Sequence, residues 1–168
     1  SLDSARTVVR YDVDGVTYQR ETLTSFADQV VMIRLTASQP GKITCNANFT
    51  TPHQDVMIVS EGEDVTLSGV SSLHEGLKGK VAFQGRMTAR TKGGMRQCRD
   101  GVLSIEGADE AVIYVSIATN FNNYKDITGD QVERAKNYLH RAITKDYQAS
   151  KQAHVSFFKK YMDRVSLN

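Results

Sequence analysis

Turn signals recur every eight to twelve residues as far as Ala118, and the runs between them are strand-length and rich in Val, Ile, Thr and Tyr. That spacing limits the fold more than any motif does. Thr7, Val9, Tyr11 and Val13 fall on one face of the first run, with Arg6, Val8, Arg10 and Asp12 on the other. Period two means a half-buried strand. Asp14-Gly15 separates this run from Val16 to Ser25, and a type I′ turn needs positive φ at both central positions, which Asp-Gly tolerates. The same dipeptide recurs at Asp100-Gly101 between Met95 to Arg99 and Val102 to Glu106. A further hairpin is expected across Glu61-Gly62-Glu63-Asp64.

Gln29 to Ala37 and Ala111 to Ala118 are apolar on both faces for much of their length, as strands covered from two sides are. Lys42 to Thr50 and Val81 to Thr91 alternate and read as further strands, with turns at Ser38 to Gly41 and at Lys92-Gly93-Gly94. Gly69 to Gly79 has no period and reads as a surface loop, here expected to cross between two sheets. The sum is nine or ten strands in 118 residues with no helix between them. The pattern predicts a mainly β protein, an antiparallel β-sandwich.

From Asp130 the period changes to that of a helix. Asp130 with Glu133 three residues on resembles a capping box. Val132, Ala135, Leu139, Ala142 and Ile143 make one apolar stripe. A second helix is expected from Asp146 or Tyr147, its stripe being Tyr147, His154, Phe158, Tyr161, Met162 and Val165, with Lys151 elsewhere. Arg164 to Leu167 then returns to alternation. Helices this short are marginal alone, so their stripes must lie against the sandwich or against another domain. We divide the chain into a sandwich over 1–125 and two C-terminal linker helices over 126–168.

At 168 residues and a formal charge of +2, the chain fits one domain and has too little excess charge to point to nucleic acid. No apolar run reaches membrane-spanning length, and the first residues do not resemble a signal peptide. Cys45 and Cys98 permit one disulfide without requiring it, and two free thiols are the plainer reading. His53, His74, His140 and His154 show no ligand spacing, so no metal and no cofactor is expected.

Motifs for chemistry are few. No nucleophile elbow, phosphate loop or zinc-protease signature occurs. Glycoside hydrolysis needs paired carboxylates. The pairs on offer are Asp12 with Asp14, the Glu61, Glu63 and Asp64 group, and Asp109 with Glu110. All fall in or beside expected turns, where acids serve structure. His154 reads as a packed, hydrogen-bonded histidine. Asn120, Asn122, Asn123 and Tyr124 form a polar and aromatic group where strands give way to helices. Such a group can touch a sugar by amide hydrogen bonds and ring stacking, or it can fix a turn.

Three stretches resemble the N-terminal region of family 95 glycoside hydrolases, the inverting α-L-fucosidases. They are Tyr11 to Glu21 continued by Asp28 to Val31 and Arg34 to Gly41, then Ala118 to Tyr124, and last His154, Phe158 and Tyr161 leading into Asp163 to Leu167. The resemblance covers essentially the whole chain. It implies a large sandwich, a super-sandwich of which this chain holds part, joined by linker helices to an (α/α)6 barrel that holds the catalytic acid and the water-activating Asp/Asn group. It also implies that strands upstream of Ser4 are missing here. Lys125 to Asp130 departs from the pattern in lacking a proline.

On that resemblance no residue here is catalytic, and Asn120, Asn122, Asn123 and Tyr124 are at most pocket-rim or interdomain residues. The parent would act on fucosylated glycans, or on α-L-galactosyl ones, outside the cytoplasm (secreted or periplasmic). The segment alone would be inactive, its partner the missing barrel, and an unpaired sheet edge would invite a homodimer. The rival reading is a non-catalytic carbohydrate-binding or adhesion sandwich. Such modules usually expose aromatics on a sheet face, and this chain has no Trp and places most Tyr and Phe on candidate core faces.

Overall fold

In the computed structural model residues 4–164 are described, and the alternation at Val165 to Leu167 lies outside them, as does Val165 of the second helical stripe. Ten strands and two helices occur among the described residues. They are β1 (Arg6–Val13), β2 (Val16–Ser25), β3 (Val30–Ala37), β4 (Ile43–Asn48), β5 (Met57–Glu61), β6 (Asp64–Val70), β7 (Ala82–Lys92), β8 (Met95–Arg99), β9 (Val102–Ala108) and β10 (Glu110–Thr119), then α1 (Gln131–Ile143) and α2 (Tyr147–Met162). The fold is mainly β, antiparallel throughout, with the helices at its C-terminal end.

Both Asp-Gly turns take the expected conformation, with φ of 50° and 75° at Asp14 and Gly15, and 52° and 75° at Asp100 and Gly101. Seven strands form one sheet in the order β1-β2-β3-β10-β7-β6-β5, and three form a second in the order β4-β9-β8. Two turns behave differently from hairpins. Gly93 and Gly94 carry the chain from β7 in the large sheet to β8 in the small one, and Gly107 with Asp109 carries it back from β9 to β10. The glycine-rich loop after β6, expected to cross between sheets, instead joins β6 to its neighbour β7 in the same sheet. Thr51 to Asp55 make the crossing between β4 and β5.

β10 sits at the middle of the large sheet and is covered on both faces. Ala111 and Ile113 point toward the small sheet, where they meet Ile43, Met87, Leu103 and Ile105. Val112 and Tyr114 point the other way, where they meet Leu23, Met32, Leu139 and Tyr147. Burying each such side chain is worth about 1.5–3 kcal/mol. This explains why β10 is apolar without alternation. The helices are therefore a third layer whose stripes lie against the sandwich, the first of the two expected places.

Both helix starts are where the capping residues put them. Asp130 Oδ1 accepts from the N–H groups of Val132 and Glu133, each at 2.9 Å. Glu133 does not complete the box with its side chain, which pairs with Lys136 at 3.5 Å. Asp146 Oδ1 accepts from Ala149 N at 3.0 Å. The second stripe holds through Tyr147 and His154, which are buried, and then leaves the sheet, so Tyr161 and Met162 are exposed.

Candidate functional site

The corner between β10 and α1 is a built structure. Asn120 continues the β10–β7 ladder, its N–H donating to Ala82 O and its Oδ1 accepting from Ala82 N, both at 3.0 Å. Asn122 donates through Nδ2 to Asp126 Oδ2 at 2.9 Å, and Asn123 Oδ1 accepts from Lys125 N at 2.9 Å. Asn123 and Asp126 exchange backbone hydrogen bonds, closing a tight turn. Arg134, one turn into α1, reaches over this turn. It donates to Thr119 O at 2.9 Å, to Phe121 O at 3.0 Å and to Asn122 Oδ1.

The electrostatics follow. Hydrogen bonds from the Thr128 hydroxyl, the Thr128 N–H and Asn122 hold the Asp126 carboxyl below the usual carboxylate range. Every asparagine amide of the group thus serves a backbone or side-chain partner within the corner. Tyr124 is the exception. It is 84% exposed, with the Lys125 ammonium 5.2 Å from its ring centre. The four residues are brought together, and the one free to meet a sugar or a second domain is Tyr124.

Six of the seven candidate turn carboxylates, all but Asp14, are spent in ion pairs and hydrogen bonds. Glu61 and Asp64 both hold the buried Arg86 guanidinium, the latter at 2.8 Å. Glu63 pairs with Arg96 at 2.9 Å and Glu110 takes both arms of Arg34 at 2.7 Å. Asp109 Oδ1 accepts from Gly41 N at 2.8 Å, and Asp12 accepts from Thr17 Oγ1. None of these is a facing pair across a pocket. His154 is buried with Nε2 3.0 Å from Ala5 O, and His53 lies 2.8 Å from Ser72 Oγ. No group of residues able to hold a metal occurs among the described residues. Cys45 and Cys98 are free thiols, and burial raises the pKa of each.

Two features were not visible in the sequence. The first is a buried ionic clasp under the helices. Glu21 in β2 is 2% exposed and accepts from Tyr147 Oη and Lys151 Nζ through Oε1, and from Arg6 Nη1 through Oε2, each at 2.8 Å. Lys151 thus belongs to the buried face of α2, not to its outer one. Burial pushes the Glu21 carboxyl up, but the hydrogen bonds from Lys151 and Tyr147 and the Lys151 and Arg6 charges outweigh it and leave the pKa lowered. Burial, then the Glu21 carboxylate, raises the Tyr147 phenol. Lys145 and the Ser25 hydroxyl hold Asp28 in a second such contact.

The second feature is a cleft of about 310 Å³ between β4 and the inner face of β1, β2 and β3. Tyr11 and Tyr18 stack there, ring centres 5.4 Å apart.

Comparison with known proteins points one way. Residues 1–124 match the family model described as glycosyl hydrolase family 65, N-terminal domain. The chain is 24% identical to alpha-L-fucosidase 2 of Arabidopsis thaliana over 192 residues, an alignment covering 99% of this chain and 22% of the relative. Among solved structures, a putative kojibiose phosphorylase from the human microbiome superposes with a TM-score of 0.57 at 13% identity, over 96% of this chain and 24% of that one. That likeness is one of fold. The chain thus spans less than a quarter of either relative. The expected kinship with N-terminal regions of glycoside hydrolases holds, and by its sequence this chain belongs to the family of glycosyl hydrolase family 65 N-terminal domains.

Proposed function

We propose that this chain is a non-catalytic part of a longer glycosidase, an inverting α-L-fucosidase acting on terminal fucosyl or α-L-galactosyl linkages of glycans. The observation that carries the reading is the alignment of 99% of the chain to a protein named alpha-L-fucosidase 2. The arrangement of acids supports the non-catalytic role, since Asp12, Glu61, Glu63, Asp64, Asp109 and Glu110 each have a structural partner. In this reading residues 1–125 are the scaffold and 126–168 the linker toward a catalytic barrel. Tyr124 stands at the rim of the parent's pocket, and the parent works in a secreted or periplasmic setting. A homodimer would form through β1 or β5, the strands that end the large sheet.

The test is the complete polypeptide assayed on p-nitrophenyl α-L-fucoside and α-L-galactoside, with the anomer of the first-formed sugar read by NMR. The reading expects hydrolysis with inversion by the complete protein and none by the 168-residue chain. Retention, or no turnover of either glycoside, overturns it. A glycan array on the 168-residue chain addresses the carbohydrate-binding alternative, which micromolar binding would favour.

A further inference from the structure

A second recess lies on the other face of the large sheet, where the turn between α1 and α2 meets the start of β10. It holds about 180 Å³. That is small beside the roughly 300 Å³ or more of a drug-sized site, and it suits a small ion. Val112 and Tyr114 of β10 contribute to it, with Arg90 opposite Val112 in the β10–β7 ladder and Lys92 opposite Glu110.

Tyr114 is 2% exposed, and among the described residues its phenolic hydroxyl has no hydrogen-bond partner. Buried hydroxyls are ordinarily hydrogen-bonded, because an unpaired one has given up water without replacement. The charges that bear on this phenol are those of Arg90, Asp146, Asp28 and Glu110, three of which line the recess, so its oxygen faces that space. Burial raises its pKa, which keeps it a neutral O–H donor at neutral pH.

The cations of the recess have donors to spare, while its carboxylates are engaged. Arg90 uses Nη1 on Ile143 O at 2.9 Å, which leaves the rest of its fork free, and Lys92 is exposed with no ion pair among the described residues. Glu110 gives both oxygens to Arg34, and Asp146 Oδ1 caps Ala149 N. Lys145 is held by the buried Asp28. With these partners counted, one positive charge is left in excess. α2 also begins here, at Tyr147, and the N-terminal end of a helix favours negative charge.

We propose that this recess binds a small oxyanion, a carboxylate or a phosphate, which accepts from the Tyr114 hydroxyl, from the free nitrogens of Arg90 and from the Lys92 ammonium. Such an anion bridges the sheet and the turn between the helices, so it stabilises the attachment of the helical layer. The site is independent of the fucosidase reading, since it uses no residue of the Tyr124 corner and its test reads no glycosidase activity.

The isotope-labelled chain is titrated with sodium phosphate and, separately, with sodium acetate, at fixed pH and with chloride holding the ionic strength constant. NMR follows the Arg90 Nε–H and the amides of Glu110, Val112 and Tyr147. At least one anion is expected to give saturable shifts at these groups in the millimolar range, and the one that binds more tightly identifies the preferred headgroup. Tyr114→Phe removes the hydroxyl alone and Lys92→Gln alters an exposed side chain; each should weaken binding by about fivefold or more. Lys159→Gln, in the last turn of α2, should leave it unchanged. Shifts that fail to saturate with either anion overturn the proposal, as does parental affinity in both Tyr114→Phe and Lys92→Gln. An equal loss in Lys159→Gln also overturns it, because the anion is then responding to net charge and not to the recess.

Discussion

Tyr147, the first residue of α2, donates its phenolic hydrogen to Glu21 in the middle of β2 at 2.8 Å, across 126 residues of sequence. The contact is buried, and Lys151 one helical turn later reaches the same carboxylate oxygen. The attachment of the last helix to the sandwich is thus partly ionic. Removing the phenol oxygen by Tyr147→Phe leaves Glu21 its two cations and should cost about 1–2 kcal/mol. Glu21→Ala leaves the Lys151 ammonium facing a low-dielectric site and should cost more, about 2–4 kcal/mol. Urea denaturation of the two variants against the parent chain checks both the size and the order. Equal losses would mean that the charge matters no more than the hydrogen bond.

The same carboxylates set a pH dependence. Glu21 and Asp28 have folded pKa values below their ordinary 4.5 and 3.8. A lowered folded pKa means that the unfolded chain binds protons first as pH falls. The stabilisation is therefore complete above the ordinary carboxylate range and is lost as pH drops through the lowered values. Asp64 has the opposite sign, since burial raises its pKa despite Arg86, and its ionisation disfavours the folded state. The melting temperature should fall from about pH 5 downward, and Glu21→Gln should flatten that fall while lowering stability at neutral pH. A Glu21→Gln variant with an unchanged acid slope would refute the assignment to Glu21.

What could be read in the sequence and what could not divides by distance along the chain. The Asp14-Gly15 and Asp100-Gly101 turns, the two-sided burial of β10, and the caps at Asp130 and Asp146 are each decided within a few residues, by φ preferences, periodicity and side-chain reach. Sheet membership is not. Lys92-Gly93-Gly94 reads as a chain reversal whether β8 pairs with β7 or crosses to the other sheet, because the choice lies with β9 and β4. The Glu21 clasp, the Arg34–Glu110 fork and the Arg134 clamp join residues that no local pattern relates. In the asparagine corner, residue types suited to sugar contact and to turn building were both present, and only the positions of Ala82, Asp126 and Arg134 show that the amides serve the turn.

The two glycine turns separate strain from collision. Gly15 has φ of +75° with nothing within 4 Å of an added Cβ, whereas Gly94, at φ +65°, would place that atom 2.3 Å from Glu106 O and 2.5 Å from Ala108 N. Gly15→Ala should cost about 1 kcal/mol, the left-handed backbone alone. Gly94→Ala adds a backbone clash at the crossing between sheets and should cost about 3 kcal/mol or more. Thermal unfolding of both variants measures the gap, and similar values would show that the β7–β8 crossing yields easily.

At the strand-to-helix corner, structure and function can be tested with different residues. Arg134 ties Thr119, Phe121 and Asn122 to α1, so Arg134→Met, which keeps the length of the stem, removes the clamp without opening a hole. Two backbone carbonyls lose a charged donor, for an expected cost of about 1.5–3 kcal/mol, with faster hydrogen exchange confined to residues 119–129. Tyr124 projects from the same turn and, among the described residues, its side chain contacts little beyond Lys125. Tyr124→Ala should change stability by no more than about 0.5 kcal/mol. If this turn borders the pocket of the parent glycosidase, Tyr124→Ala raises KM in the complete protein with little change in the melting temperature. A variant that keeps both KM and kcat shows that the corner shapes the joint between domains and touches no substrate.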